Sequence, residues 1–239
     1  MVTINSVGKC LFCNKEFSKA AIGRHLGTHL TQKSKEGTPG ISYHIKIEED
    51  TRGGGSPYFL NLWVDGDITM NDIDDFLRAI WLECCGHMSG FTNPKEKKGW
   101  VLFDEDEADE LMETETKDML SKGLKLKYDY DYGSTTKLIL TVLEQYPVEL
   151  PNGIELLSRN EPLEIMCDTC ETEPATQICA VCWNGPNTFC KKCAKKHAKT
   201  CDDFAEYAAM PVVNSPRMGV CAYTGGKIDK DRDGVFVKK

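Results

Sequence analysis

The sequence has no apolar run approaching the roughly twenty residues that a membrane-spanning helix needs, and its first residues carry no secretory signal pattern. A soluble, cytoplasmic protein without a membrane partner is expected. Net positive charge is also absent. With 29 Lys and Arg against 37 Asp and Glu the formal charge is −8 at pH 7, which argues against a uniformly basic nucleic-acid binder. Three consecutive glycines, Gly53 to Gly55, are followed by no Gly-Lys-Ser/Thr and precede a strand-like pattern instead of a helix. They read as a turn, not a phosphate cradle. What the chain has in excess is cysteine, twelve in 239 residues. Most of these fall into metal-type spacing, which fits a reducing compartment better than a disulfide framework.

The charge is unevenly distributed. Residues 1–35 carry six Lys/Arg against one acid, residues 36–166 twelve against twenty-seven, and residues 167–239 eleven against nine. An acidic middle flanked by two more basic, cysteine-bearing ends predicts four segments. These are a small module over 1–35, a central domain over 36–165, a second small module over 166–209 and a tail over 210–239. The fold class expected is α+β, with a central mixed strand and helix domain between two zinc-stabilised modules.

The densest signal lies in residues 167–201. Cys167-x-x-Cys170, Cys179-x-x-Cys182 and Cys190-x-x-Cys193 are followed by His197 and Cys201. Eight ligands make two complete four-coordinate zinc sites. His197 and Cys201 are four apart and share a helix face. Three paired knuckles are too specific for a redox or disulfide cluster to be the better reading. The segment resembles a B-box, including Pro174-Ala175 and the stretch Phe189-Cys190-Lys191-Lys192-Cys193. It departs from that pattern at Cys201, where a second His is common, and the His-x-x-x-Cys ending is similar to MYND-type fingers. By that analogy ligation is cross-braced, with Cys167, Cys170, Cys190 and Cys193 on one ion and Cys179, Cys182, His197 and Cys201 on the other. Sequential pairing remains the open alternative.

At the other end, Cys10-x-x-Cys13 and His25-x-x-x-His29 enclose eleven residues, with Phe17 and Ile22 where a ββα finger places its core. The spacer is one residue shorter than the usual twelve. So small a unit draws folding energy from its metal, on the order of 10–16 kcal/mol in finger peptides. Three zinc ions per chain are therefore expected. A DNA-reading finger uses helix positions −1, 3 and 6, which fall at Ser18, Ala21 and Arg24. Only Arg24 has the donors to grip a guanine edge. Lys9, Lys15 and Lys19 are candidates for phosphate contact. Residues 31–40 read as a linker.

In the middle, Ile41, Tyr43, Ile45 and Ile47 alternate as a strand, and Tyr58, Leu60, Leu62 and Val64 as another. Thr69 and Asp72 form a capping pair. Ile73, Phe76, Leu77, Ile80, Trp81 and Cys84 make one apolar helix face, and Gly86 is the C-cap. The sequence Glu83-Cys84-Cys85-Gly86-His87 follows. Cys84 lies on the apolar stripe and adjacent cysteines are poor joint ligands, so structural thiols are expected. A nucleophilic Cys85 with His87 as base is the enzymatic rival. Residues 104–115 are mostly acidic and read as a solvated segment. Leu124, Leu126, Tyr128, Tyr130 and Tyr132 alternate, turn at Gly133-Ser134 and return through Leu138, Leu140 and Val142 as a hairpin. Tyr128 and Tyr130 are candidate core or partner-binding residues, since Asp129 and Asp131 between them disfavour nucleic acid.

Three stretches resemble the Ri-plasmid open-reading-frame-three-like proteins, also called transposon passenger resolvase-like proteins. They are Asp74-Asp75-Phe76-Leu77-Arg78 running on through Ile80 to Ser89, then Tyr128 to Thr136, and Pro211 to Cys221. The second is similar to that family's Y-x-Y-D-F-G segment, with Tyr132 in place of Phe. The resemblance spans residues 41–225 and implies an α+β domain of prokaryotic or mobile-element origin, with no established activity. No recombinase motif accompanies it.

Lys191, Lys192, Lys195, Lys196 and Lys199 cluster on the expected ligand-bearing helix, facing either phosphates or the acidic 104–115 stretch. Trp183 is a candidate partner anchor or a packed knuckle residue. Asp229, Asp231, Asp233 and Gly234 match the first half of a calcium loop without its closing Glu, and read better as a polar tail. Cys221 has no sequence partner. The function expected is a zinc-binding, non-enzymatic interaction or adaptor protein with a protein partner, its oligomeric state open. The alternative is a nucleic-acid-binding regulator using Lys15, Lys19, Arg24, Lys191 and Lys195. A Cys85/His87 enzyme is the third and weakest reading.

Overall fold

The computed structural model describes residues 6–51, 55–94 and 111–238. They form two compact units, Met1–Leu77 with Met88–Asn160, and Arg78–His87 with Glu161–Lys239. The architecture is α+β. Among the described residues no helix is long and apolar enough to cross a membrane.

The first unit opens with β1 (Val7–Lys9), β2 (Glu16–Ser18) and α1 (Lys19–Lys33). β1 and β2 pair antiparallel, giving the expected ββα outline. The main sheet contains β3 (Ser42–Glu49), β4 (Phe59–Asp65), β5 (Ser89–Thr92), β6 (Lys125–Tyr130), β7 (Thr136–Tyr146) and β8 (Ile154–Arg159). Their order is β5-β6-β7-β3-β4-β8, every pair antiparallel. Both strands expected around 41–47 and 58–64 are present, as is the hairpin between β6 and β7. Its turn is fixed by Asp131, whose Oδ1 accepts the amides of Gly133 and Ser134 at 2.9 and 3.2 Å.

The alternation read from the sequence describes one face of this sheet. Leu126, Leu140, Ile47 and Leu60 lie opposite one another across four strands, and all are buried. Tyr128 and Tyr130 belong to the buried positions of β6 and are both 0% exposed. Their assignment as partner-binding residues is therefore corrected: Tyr128 donates its hydroxyl to Asp74 Oδ1 at 2.6 Å and is core. Asp74 lies on α2 (Met70–Leu77) and also accepts the Ser89 hydroxyl at 2.6 Å. The capping pair at the start of α2 is reciprocal. Thr69 N and Oγ1 donate to Asp72 Oδ2 at 2.8 Å each, and the Asp72 amide returns to Thr69 Oγ1 at 3.3 Å.

The other face carries what alternation hid. All seven residues of β4 are buried, so Phe59, Asn61 and Trp63 are covered as well. The cover is the finger helix. Ile22, Leu26 and Leu30 of α1 form one apolar cluster with Phe59, Trp63, Tyr146, Val148, Leu150 and Leu157. The two helical glycines Gly23 and Gly27 face Leu143 and Tyr146, and a Cβ at Gly23 would come within 3.2 Å of Leu143. The finger thus shares its core with the sheet, and metal is not its sole source of folding energy.

On that face His44 is 1% exposed, with Nε2 3.0 Å from Asn61 Oδ1. Burial pulls its pKa down to about 4, against the opposing effects of Asn61 and Glu144. The folded state thus refuses a proton that the unfolded chain accepts below about 6.5. Stability contributed by neutral His44 is complete above about 6.5 and falls as pH drops toward 4, by on the order of 3 kcal/mol. In urea titrations at stepped pH, His44→Gln is expected to flatten this slope by one proton. An unchanged slope would assign the acid sensitivity elsewhere.

The second unit begins with a π-helical turn, Arg78–Leu82, in which the Glu83 amide reaches back five residues to Arg78 O at 2.9 Å. The wider turn shifts the apolar face predicted for a regular helix. Leu82 is buried beside Ile80 and Trp81, while Cys84 is only half-buried. Gly86, at φ 75°, ends the segment. The unit continues through β9 (Gln177–Cys179), β10 (Thr188–Phe189), α3 (Lys191–His197), a second π-helical turn (Phe204–Ala208) and β11 (Ala209–Pro211). Its small antiparallel sheet has the order β10-β9-β11.

Candidate metal centres

Four groups of Cys and His side chains converge, each with its ligand atoms within 4.8 Å of one another. A tetrahedral zinc with bonds near 2.3 Å to sulfur and 2.0–2.1 Å to nitrogen requires edges of ~3.7 Å between sulfurs, ~3.5 Å from sulfur to nitrogen and ~3.3 Å between nitrogens. That is the measure for each group.

The finger group is Cys10, Cys13, His25 and His29. Cys13 Sγ lies 3.3 Å from His25 Nε2, and the two histidine Nε2 atoms are 3.2 Å apart. The cysteine turn closes by the Asn14 amide donating to Cys10 O at 2.8 Å, with Asn14 left-handed at φ 59°. The Phe17 ring stacks on His25 at 3.9 Å. Burial, then the nearby His29 and Lys15 charges, lower the His25 pKa and favour the neutral ring that ligates a metal.

The second and third groups interleave. Cys167 and Cys170 meet Cys190 and Cys193, while Cys179 and Cys182 meet His197 and Cys201. This is the cross-braced arrangement, and it excludes sequential pairing. In the second group Cys170 and Cys190 sulfurs are 3.9 Å apart. Its first knuckle repeats the finger's turn, the Glu171 amide donating to Cys167 O at 2.8 Å with Glu171 at φ 54°. The Thr172 hydroxyl and amide and the Glu173 amide bring the Cys170 thiol down to about 6. Cys193 is pushed up to about 12 by burial and by the neighbouring Cys190, Cys167 and Cys170. Such crowded thiols cannot all ionise without a cation among them.

In the third group Cys179 and Cys182 sulfurs are 3.3 Å apart and Cys182 Sγ is 3.5 Å from His197 Nε2. Phe189 stacks on the His197 ring at 4.3 Å, as Phe17 does on His25, and Phe204 packs edge-on at 4.8 Å. α3 joins the two groups, bearing Cys193 of one and His197 of the other.

The fourth group combines a stretch the sequence offered as a possible metal or nucleophilic site with a residue it did not connect to it. Cys84, Cys85 and His87 meet Cys221, for which the sequence offered no partner. Cys84, expected on a buried stripe, is only half-buried and Cys85 is exposed. Cys85 Sγ lies 3.0 Å from His87 Nε2, the geometry an enzymatic reading requires. Its pKa, however, is pushed up to about 12 by Cys221 and Cys84, opposite to an activated thiolate.

The remaining sequence candidates are placed as follows. Arg24 and Lys15 are exposed, whereas Lys19 is held by Glu48 at 2.7 Å and donates to Ser56 O at 2.6 Å. Lys191, Lys192, Lys195, Lys196 and Lys199 are all exposed along α3 and its end. Residues 104–110 of the acidic stretch lie outside the described residues. Trp183 is 80% exposed, which removes the packed-knuckle alternative. It lines a groove of about 630 Å³ with Val181, Pro186, Phe189 and Lys196. In the tail, Asp229 Oδ1 is taken by Arg232 at 2.6 Å and Asp233 Oδ2 accepts the Gly226 amide at 2.9 Å. Those carboxylates face protein donors, as a polar tail requires.

No protein-family model matches the chain, and no curated protein matches it. Among solved structures, a protein of unknown function from Methanosarcina mazei Go1 is similar over 48% of this chain and 65% of its own, at 18% identity and a TM-score of 0.35. So loose a likeness carries no functional argument. The centres define a protein with several Cys/His groups positioned to bind metal.

Proposed function

We propose that this is a zinc-held, non-enzymatic interaction protein whose partner surface is the groove beside Trp183. The observation that carries this reading is the 80% exposure of Trp183 beside Cys182, a member of the third Cys/His group. A large aromatic presented to solvent is the kind of anchor that dominates protein interfaces. Val181, Pro186 and Phe189 give the groove an apolar floor, and Lys196 lies at its side. The partner that fits is a protein segment with an apolar anchor and acidic flanks. Closed four-ligand groups leave no coordination position for water, which a catalytic zinc keeps. The B-box-like spacing agrees with an interaction role, without specifying the partner.

A nucleic-acid reading draws on the exposed lysines of α3 and on Arg24. It is weaker because Lys19 is committed to Glu48 and only Arg24 of the three finger reading positions can grip a base. Pull-down from native extract, with and without nuclease, separates the two. Defined proteins that survive nuclease and bind Trp183→Ala at least about tenfold more weakly are expected, the size of an interface hot spot. Binding lost with nuclease and falling steeply with salt would replace this reading by the nucleic-acid one.

A further inference from the structure

We infer that Cys84, Cys85, His87 and Cys221 form a fourth zinc site, which clasps the C-terminal segment to the end of the π-helical turn. Two sulfur–sulfur edges match a tetrahedron, and two sulfur–nitrogen edges fall about 0.3–0.5 Å short of the ~3.5 Å it needs. Cys84 and Cys85 sulfurs are 3.7 Å apart and Cys85 and Cys221 sulfurs 3.6 Å, against ~3.7 Å for two thiolates on one zinc. His87 Nε2 stands 3.0 Å from Cys85 Sγ and 3.2 Å from Cys221 Sγ. A disulfide needs ~2.05 Å between sulfurs, so these thiols are gathered without being bonded. Hydrogen bonding among themselves does not explain the gathering, because thiols are weak donors and weak acceptors.

The site is built from both sides. The Ser215 hydroxyl donates to Trp81 O at 2.7 Å, and the Lys227 amide donates to Ala79 O at 2.7 Å. These two bonds fix the segment that carries Cys221 against the turn that carries the other three ligands. Residues 83–87 are held by Glu83, which accepts the Gly86 amide at 2.6 Å and Arg78 Nη1 at 3.0 Å. Arg78 Nη2 in turn donates to His87 O at 2.7 Å. Arg217, fully buried, brings Nη2 to 3.5 Å from Cys84 Sγ. Three thiolates and a neutral imidazole around Zn²⁺ carry a net charge of −1, and a buried guanidinium is the complement such a cluster needs.

The backbone points the same way. Cys221 and Ala222 are consecutive non-glycine residues in the left-handed region, at φ 47° and 55°. Strain of this kind persists where surroundings over-determine it, typically at functional sites. Here it turns the Cys221 sulfur into the group. Sulfur-rich donors in a tetrahedral array select zinc over the harder divalent cations. Four protein ligands close the site, giving a structural ion. Because Cys85 and Cys221 are exposed, this is also the centre that a chelator reaches first.

The test uses the full chain purified anaerobically without chelator. Native mass measurement with elemental analysis is expected to give four zinc ions per chain, and three in Cys221→Ser and in Cys85→Ser. Cys221→His keeps a donor and is expected to retain four, which separates lost ligation from lost folding. In the wild-type protein, iodoacetamide mapping is expected to leave Cys85 and Cys221 unmodified despite their exposure, until a chelator is added. Three ions in the wild type with Cys85 and Cys221 alkylated at the rate of free thiols would overturn the site. So would four ions retained in both serine variants.

Discussion

Cys190→Ser is expected to release two metal ions, not one. Cys190 belongs to the group with Cys167, Cys170 and Cys193, and it immediately precedes α3, whose far end supplies His197 to the other group. Losing the first group frees the start of that helix, and with it the geometry of the second. Each structural zinc is worth on the order of 10–16 kcal/mol, as much as the whole stability of a typical domain, about 5–15 kcal/mol. The apolar cluster of this module consists largely of the ligand cysteines themselves, with Phe189, Ala194, Phe204 and Ala208. Proteolysis is therefore expected to open residues 167–201 at once in the variant while the six-stranded sheet stays protected. Native mass measurement showing a single lost ion and an intact module would mean that the two centres are independent.

Leu26→Ala is expected to destabilise the six-stranded sheet although Leu26 belongs to the finger helix. The side chain is fully buried and shares a cluster with Phe59 and Trp63 of β4. Truncating a buried leucine costs about 2–5 kcal/mol through lost transfer energy and the cavity left behind. For a protein of this size that lowers the melting temperature by roughly 5–20 °C, with zinc in the finger group retained. Lys15→Ala, on the exposed side of the finger, is the control and should stay within about 0.5 kcal/mol of the parent. A sheet that melts unchanged in Leu26→Ala would show that the finger is an independent appendage.

These two expectations mark how far the sequence could be read. Ligand spacing is local and chemically specific, so Cys10 to His29 and Cys167 to Cys201 are legible as zinc-type groups without any fold. Alternation in β3, β4 and β6 is likewise local. It reports one sheet face well and is silent about Phe59, Asn61 and Trp63, whose cover comes from Ile22, Leu26 and Leu30 of the finger helix, of which the finger pattern had claimed only Ile22. Tyr128 and Tyr130 were legible as a stripe that was either core or partner-binding, and the choice between the two depends on the strands and the Asp74 carboxylate around them. The π-helical turn at Arg78–Leu82 left no mark in composition, and it displaced Cys84 from the apolar face a regular helix would give it. Cys221 was beyond reach for a simpler reason. It meets Cys85 across 136 residues, and no spacing rule operates at that range.

That separation has a consequence for the order in which the chain is made. The finger's four ligands are complete once residue 29 has left the ribosome, and the interleaved pair once residue 201 has. Cys84 and Cys85 emerge early and wait 136 residues for Cys221, roughly seven to thirty seconds at a synthesis rate of about 5–20 residues per second. Over that interval two adjacent thiols and an imidazole stand ready without their fourth member. The last of the four clusters to gather its members is thus the one whose first parts wait longest.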